Sequence, residues 1–90
     1  MITAKKAKEK IIKSISKRKY IQKIKQHIEN AIKYRFFECN VTITKDDVID
    51  WDMNKTLFHI FRYFEYYGYS ITVVNREQDK AILNVSWHRA

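Results

Sequence analysis

"FEYYGYSITV", Phe64 to Val73, contains Gly68, the single glycine of a 90-residue chain that has no proline. A residue just past a helix C-terminus often needs positive φ, which glycine adopts freely. Upstream, residues 53–67 are amphipathic. Met53, Leu57, Ile60, Phe61, Phe64 and Tyr67 make one face, and Lys55, His59, Arg62 and Glu65 the opposite one. Downstream, "YSITVV" (69–74) and "AILNVSW" (81–87) are apolar runs around the polar turn "NREQDK", the pattern of a hairpin. Gly68 therefore reads as the stop of a helix and the pivot into a hairpin.

Working outward, "FFECNVTIT" (36–44) alternates, with Phe37, Cys39, Val41 and Ile43 on one side and Glu38, Asn40, Thr42 and Thr44 on the other. That is a half-buried strand. Thr44, Asp46 and Asp47 are candidate caps for the following helix, with Asp52 or Asn54 as a later start. In the N-terminal third, Ala4, Ala7, Ile11 and Ile15 form one helical stripe and Ile21, Ile24, Ile28 and Ile32 another. At about 100° per residue the two stripes are displaced by roughly 105°. The break falls at "SISKRK" (14–19) and predicts two helices, or one bent helix. The expected fold is α+β: these helices, then β-α-β-β, with a three-stranded sheet packed on a helix. The first strand is expected beside the second, in parallel through a right-handed crossover, or beside the third. One domain spans 1–90, with 1–16 as a helical extension that projects or packs on another subunit and 17–90 as the globular body.

The formal net charge is +8 and is unevenly placed: residues 1–35 carry +10 and residues 36–90 carry −2. That asymmetry points to a polyanionic partner, although lysines on a helix are most often a solvated face. The lone Cys39 suits an intracellular chain. No apolar run approaches the ~20 residues of a membrane span, and "MITAKKAKEKIIK" lacks the apolar block of a signal peptide.

Catalytic and metal motifs are not recognisable. Asp50, Asp52 and Asn54 alternate like the start of a calcium loop, but Lys55 and Phe61 stand where such a loop needs glycine and glutamate. His27, His59 and His88 are scattered, without zinc spacing to Cys39. A single glycine cannot build a phosphate-cradling loop. The expectation is therefore a protein that is not an enzyme and uses no cofactor or metal. A winged helix is a minor alternative, because the helix before the hairpin carries phenylalanines rather than basic residues. Tyr63, Tyr66, Trp51 and Phe58 fall off the apolar stripe, where aromatics stack on bases or anchor a subunit interface.

The opening "MITAKKAKEK", the passage "IENAIKYRFFECNVTI", the helix end "FEYYGYSITV" and the closing "ILNVSW" together resemble a broad group of small tailed-phage proteins. Those typically run helix, strand, helix, a Gly-Tyr or Gly-Phe turn, and a hairpin closing on a hydrophobic-Ser-Trp triplet. They often place glycine between the first helix and first strand, where this chain has "KYRF" (33–36). The resemblance implies a phage origin and a place in the cytoplasm of an infected host cell, and it transfers no functional residues. The expected function is binding of a phosphate-bearing ligand, as an oligomeric counter-defence sponge for a nucleotide immune signal. The alternatives are sequence-tolerant DNA or RNA binding through the N-terminal helices, or inhibition of a host protein or a virion accessory role. Expected partners are an anionic nucleotide or nucleic acid and further copies of the chain. Expected phosphate contacts are Lys17, Arg18, Lys19, Lys23 and Arg35, and expected stacking residues are Tyr20, Tyr34, Tyr63 and Tyr66.

Overall fold

The computed structural model describes residues 2–48 and 52–87; Asp50, Trp51 and His88, singled out above, lie outside them. The order is α1 (Ala4–Ile15), α2 (Lys19–Lys33), β1 (Glu38–Thr44), a 3-10 turn (Lys45–Asp47), α3 (Met53–Tyr66), β2 (Ser70–Arg76) and β3 (Lys80–Ser86). The α+β class, the two N-terminal helices and the β-α-β-β order are those the sequence predicts. The sheet order is β1-β3-β2, antiparallel throughout. Of the two placements considered for the first strand, pairing with the third is the one realised.

Alternation in β1 puts Val41 and Ile43 in the core, opposite Leu83 and Ala81 of β3, with Cys39 half-buried opposite Val85. The other sheet face carries Asn40, Thr42, Thr72 and Asn84. Helices α2 and α3 cover the apolar face through Ile21, Ile24 and Ile28, and through Leu57, Ile60 and Phe64.

The helical stripes differ from the expected ones by one residue. Ile12 and Ile15 are buried in α1 while Ile11 is exposed, and Ala31 is buried in α2 while Ile32 is exposed. Each stripe turns on the neighbour actually present. The last turn of α1 packs against α3 rather than the sheet, leaving residues 2–11 exposed. Thus the extension expected over 1–16 is exposed over its first turns and anchored in the core by its last. In α3, Thr56 and Tyr63 are buried, and Tyr67 just past its end is exposed. Met53, Thr56, Leu57, Ile60, Tyr63 and Phe64 keep helical spacing, and α1 supplies the surface that covers Tyr63. Phe37, expected on the buried side of β1, is exposed beyond the end of the strand.

Asp52 caps α3, its side chain accepting from the Lys55 amide. Thr44 and Asp47 instead cap the 3-10 turn through reciprocal hydrogen bonds. At the other end, α2 and α3 close alike. Gly68 has φ +91°, its amide donates to the Glu65 carbonyl and the Tyr69 amide donates to the Phe64 carbonyl. Arg35 has φ 61°, its amide donates to the Ile32 carbonyl and the Phe36 amide donates to the Ala31 carbonyl. Both are Schellman turns. The apolar contact that accompanies such turns is present at the first, where the Tyr69 and Phe64 rings meet edge to face at 5.8 Å.

A Cβ added at Gly68 would meet nothing within 4 Å, so the cost of substitution there is conformational. Gly68→Ala is expected to lower stability by about 1 kcal/mol. Arg35→Gly is expected to shift it in the opposite direction by up to about 1 kcal/mol. Paired thermal melts check both, each kcal/mol being worth about 4–8 °C in a domain of this size.

Candidate anion-binding cleft

Because α2 and α3 both end at the sheet end formed by Glu38, Ser86 and Ser70, they run in the same direction. Their N-terminal ends therefore converge at the opposite end of the molecule. A cleft of about 340 Å³ lies there. Arg18, Lys19 and Tyr20 line it from the start of α2, Lys55, Thr56 and His59 from α3, and Asp46, Asp47 and Val48 from the intervening turn.

The start of α2 has an unusual chemistry. Its N-cap is Arg18, which makes no side-chain capping hydrogen bond, and no acidic residue stands in the first turn. The Ile21 and Gln22 amides already donate to the Arg18 carbonyl. The amides of Lys19 and Tyr20 are the donors a helix start leaves without an intrahelical acceptor. The positive end of the helix dipole is thus combined with two cations rather than compensated by a carboxylate.

Tyr20 and His59 form the polar floor, with the Tyr20 hydroxyl 3.0 Å from His59 Nδ1. Burial pushes the Tyr20 phenol above its ordinary value, against a smaller opposing pull from Arg18, so it keeps its proton. Burial, reinforced by the charges of Arg18 and Lys55, holds His59 below the ordinary histidine value. The ring is therefore neutral at pH 7 and shares a hydrogen bond with the Tyr20 hydroxyl through Nδ1.

Asp47 forms the side wall. Its carboxylate pairs with Lys23 Nζ at 2.9 Å and accepts from the Thr44 amide at 2.9 Å and the Thr44 hydroxyl at 3.2 Å. Burial opposes its ionisation, but the Thr44 and Lys23 hydrogen bonds and the Lys23 charge outweigh it and leave the acid below its ordinary value. Of the wall carboxylates, Asp46 remains exposed, an acceptor beside the cations.

The residues expected from sequence separate. Arg18, Lys19 and Tyr20 come together in the cleft. Lys23 is beside it but engaged with Asp47, and Lys17 lies in the turn between α1 and α2, outside the lining. Tyr20 is 4% exposed and hydrogen-bonded, so its ring is not a stacking platform. Tyr63, also 4% exposed, is a core residue packed on Phe64, with Lys25 Nζ 4.9 Å from its ring centre. Both were expected as free aromatics, and the packing of α1 and α2 against α3 is what covers them. Tyr34 and Arg35 follow the last turn of α2, about 22 Å of helix from Arg18. Tyr66 lines a separate groove of about 410 Å³ with Tyr67 and α1. Sequence reasoning missed Lys55, Thr56 and His59, which it assigned to a solvated face or not at all. Their spacing over one helical turn is the signal that places them together.

Comparison with protein-family models, curated proteins and solved structures finds no match in any of the three. The chemistry of the cleft itself carries the functional reading.

The titrations give a signed prediction. His59 resists protonation when folded, so its contribution is complete above about pH 6.5 and is lost as the pH falls through its lower folded value. Melting temperature is expected to drop across that acid range, and His59→Gln is expected to flatten the drop. Asp47→Ala, which removes the cap and the Lys23 pair, is expected to cost about 1–2 kcal/mol at neutral pH, measured by urea denaturation.

Proposed function

We propose that this protein is a non-catalytic binding protein that captures a phosphate-bearing nucleotide in the cleft between the starts of α2 and α3. The observation that carries the reading is the uncapped start of α2 bordered by Arg18, Lys19 and Lys55. Helix N-terminal amides and basic side chains together recognise phosphate. A volume of about 340 Å³ suits a small organic ligand better than a bare ion. Asp46 adds an exposed acceptor for a sugar or base, which inorganic phosphate would not use. Taken with the resemblance to small phage proteins, this gives a sponge that holds a nucleotide immune signal in the infected host's cytoplasm, with more than one copy per assembly.

A second reading rests on a different surface. Lys5, Lys6, Lys8, Lys10 and Lys13 are all exposed on α1, which suits sequence-tolerant contact with DNA or RNA phosphates.

Thermal melts against a panel of mononucleotides and cyclic dinucleotides, with native mass spectrometry of the purified protein, separate the two. A sponge raises the melting temperature with one small nucleotide and retains it stoichiometrically. Arg18→Ala and Lys55→Ala are each expected to weaken that binding by about tenfold or more, the equivalent of ~1.4 kcal/mol. Replacing the α1 lysines with glutamine leaves it unchanged. Binding of DNA or RNA that collapses with added salt and depends on the α1 lysines favours the second reading and overturns the first.

A further inference from the structure

We propose that the chain forms a two-fold dimer by antiparallel pairing of the free edge of β1 over Glu38–Thr42 with the same edge of a second copy, giving a continuous six-stranded sheet. This inference is independent of the ligand assigned to the cleft.

The sheet order makes β1 an edge strand. Its hydrogen-bonding alternation is fixed at both ends: the Trp87 amide donates to the Phe37 carbonyl, and the Lys45 amide donates to the Asp79 carbonyl. Antiparallel partners alternate between hydrogen-bonded and non-hydrogen-bonded pairs. Phe37, Cys39, Val41, Ile43 and Lys45 therefore direct their main-chain groups to β3. Glu38, Asn40, Thr42 and Thr44 direct theirs away from the sheet. Thr44 is already satisfied, its amide donating to Asp47. Among the described residues, Glu38, Asn40 and Thr42 are left as an open ladder.

Edge strands are normally blunted by a bulge, a lysine or a proline. The other edge has such a device: β2 carries a register shift between Val73 and Asn75 and ends in Arg76. Strand β1 has no bulge, lysine or proline, and its one charged residue is Glu38 at its start. Its seven residues pair with β3 without a register break.

Two features select a second copy as the occupant. The first is area. Tyr34, Phe36 and Phe37, which lead into this edge, are 74, 62 and 64% exposed. Aromatic side chains of this size leave roughly 400 Å² uncovered per copy. Two such patches, together with the paired strand edges, reach the ~1,000 Å² total that a specific interface needs. The second is self-complementarity. An open ladder of Glu38, Asn40 and Thr42 is centred on Asn40. Pairing it with itself sets Glu38 opposite the partner's Thr42 and Asn40 opposite the partner's Asn40, so no like charges face each other. The closed end at Thr44 limits the register and leaves Phe36 and Phe37 of each copy alongside the other copy's strand end.

Light scattering over a dilution series, with residue-resolved amide exchange, tests the proposal. The expected mass is twice the 11.0 kDa of the chain, with the Glu38, Asn40 and Thr42 amides slowing as concentration rises. Asn40→Pro removes one outward amide and no bond to β3, and is expected to give a folded monomer. Phe36→Lys with Phe37→Lys is expected to do the same by a route that leaves the ladder intact, and circular dichroism checks that both variants stay folded. A monomer at all concentrations overturns the proposal. So does a dimer in which those three amides exchange freely, or one that both folded variants retain. If the edge is instead protected only by an added foreign peptide, with the chain alone monomeric, the self-pairing is likewise overturned.

Discussion

The constraint on which the rest depends is the left-handed turn that closes both sheet-covering helices. A Schellman turn reverses the chain within two residues and satisfies the last carbonyls of the helix as it does so. Here it occurs at Arg35 and again at Gly68. Each turn releases a strand that runs back beneath its own helix, β1 below α2 and β2 below α3. Strand β3 fits between them, antiparallel to both. Two helices with the same exit geometry on one sheet must run parallel, and so must begin together. The cleft is thus a consequence of how the helices end.

Packing supplies the energy that holds this arrangement. Ile21, Ile24, Ile60 and Leu83 are fully buried, and each such side chain contributes on the order of 1.5–3 kcal/mol. The polar ties are fewer and lie at the cleft end, Tyr20 to His59 and Asp47 to Lys23 and Thr44. The Asp47 side chain is only 11% exposed, which lifts that pair above an ordinary surface ion pair. Apolar contact fixes the layers, while these hydrogen bonds fix the directions of the groups that line the cleft.

Most of the fold was legible because its signals are periodic and local. The strand alternation at 36–44, the break at 14–19 and the glycine at 68 each follow from chain geometry. The register of the helical stripes was not legible to the residue, because a helix turns its buried face toward whichever neighbour packs on it. Ile11 and Ile32 lost burial to Ile12 and Ala31 for that reason. The same effect hid the site. Tyrosine fits both core and surface, so Tyr20 and Tyr63 read as free rings until α1 and α2 closed over them. Arg35 read as a phosphate contact, and its backbone also takes the left-handed conformation that glycine adopts most freely. A side-chain reading cannot detect a requirement placed on φ.

Asp47 joins the two surfaces proposed for partners, the cleft and the β1 edge. Its carboxylate stands in the cleft wall and also accepts from the Thr44 amide at the end of the β1 edge. One side chain therefore stops the open ladder at Thr42 and neutralises Lys23 beside the cleft. Without it, the edge would lengthen by one outward amide and the cleft would gain an unpaired cation. The strand edge and the cleft are consequently bounded by the same group. Their separation along β1, aromatic at the Phe37 end and cationic at the Asp47 end, would let the proposed self-association and the proposed ligand capture use different ends of one small sheet.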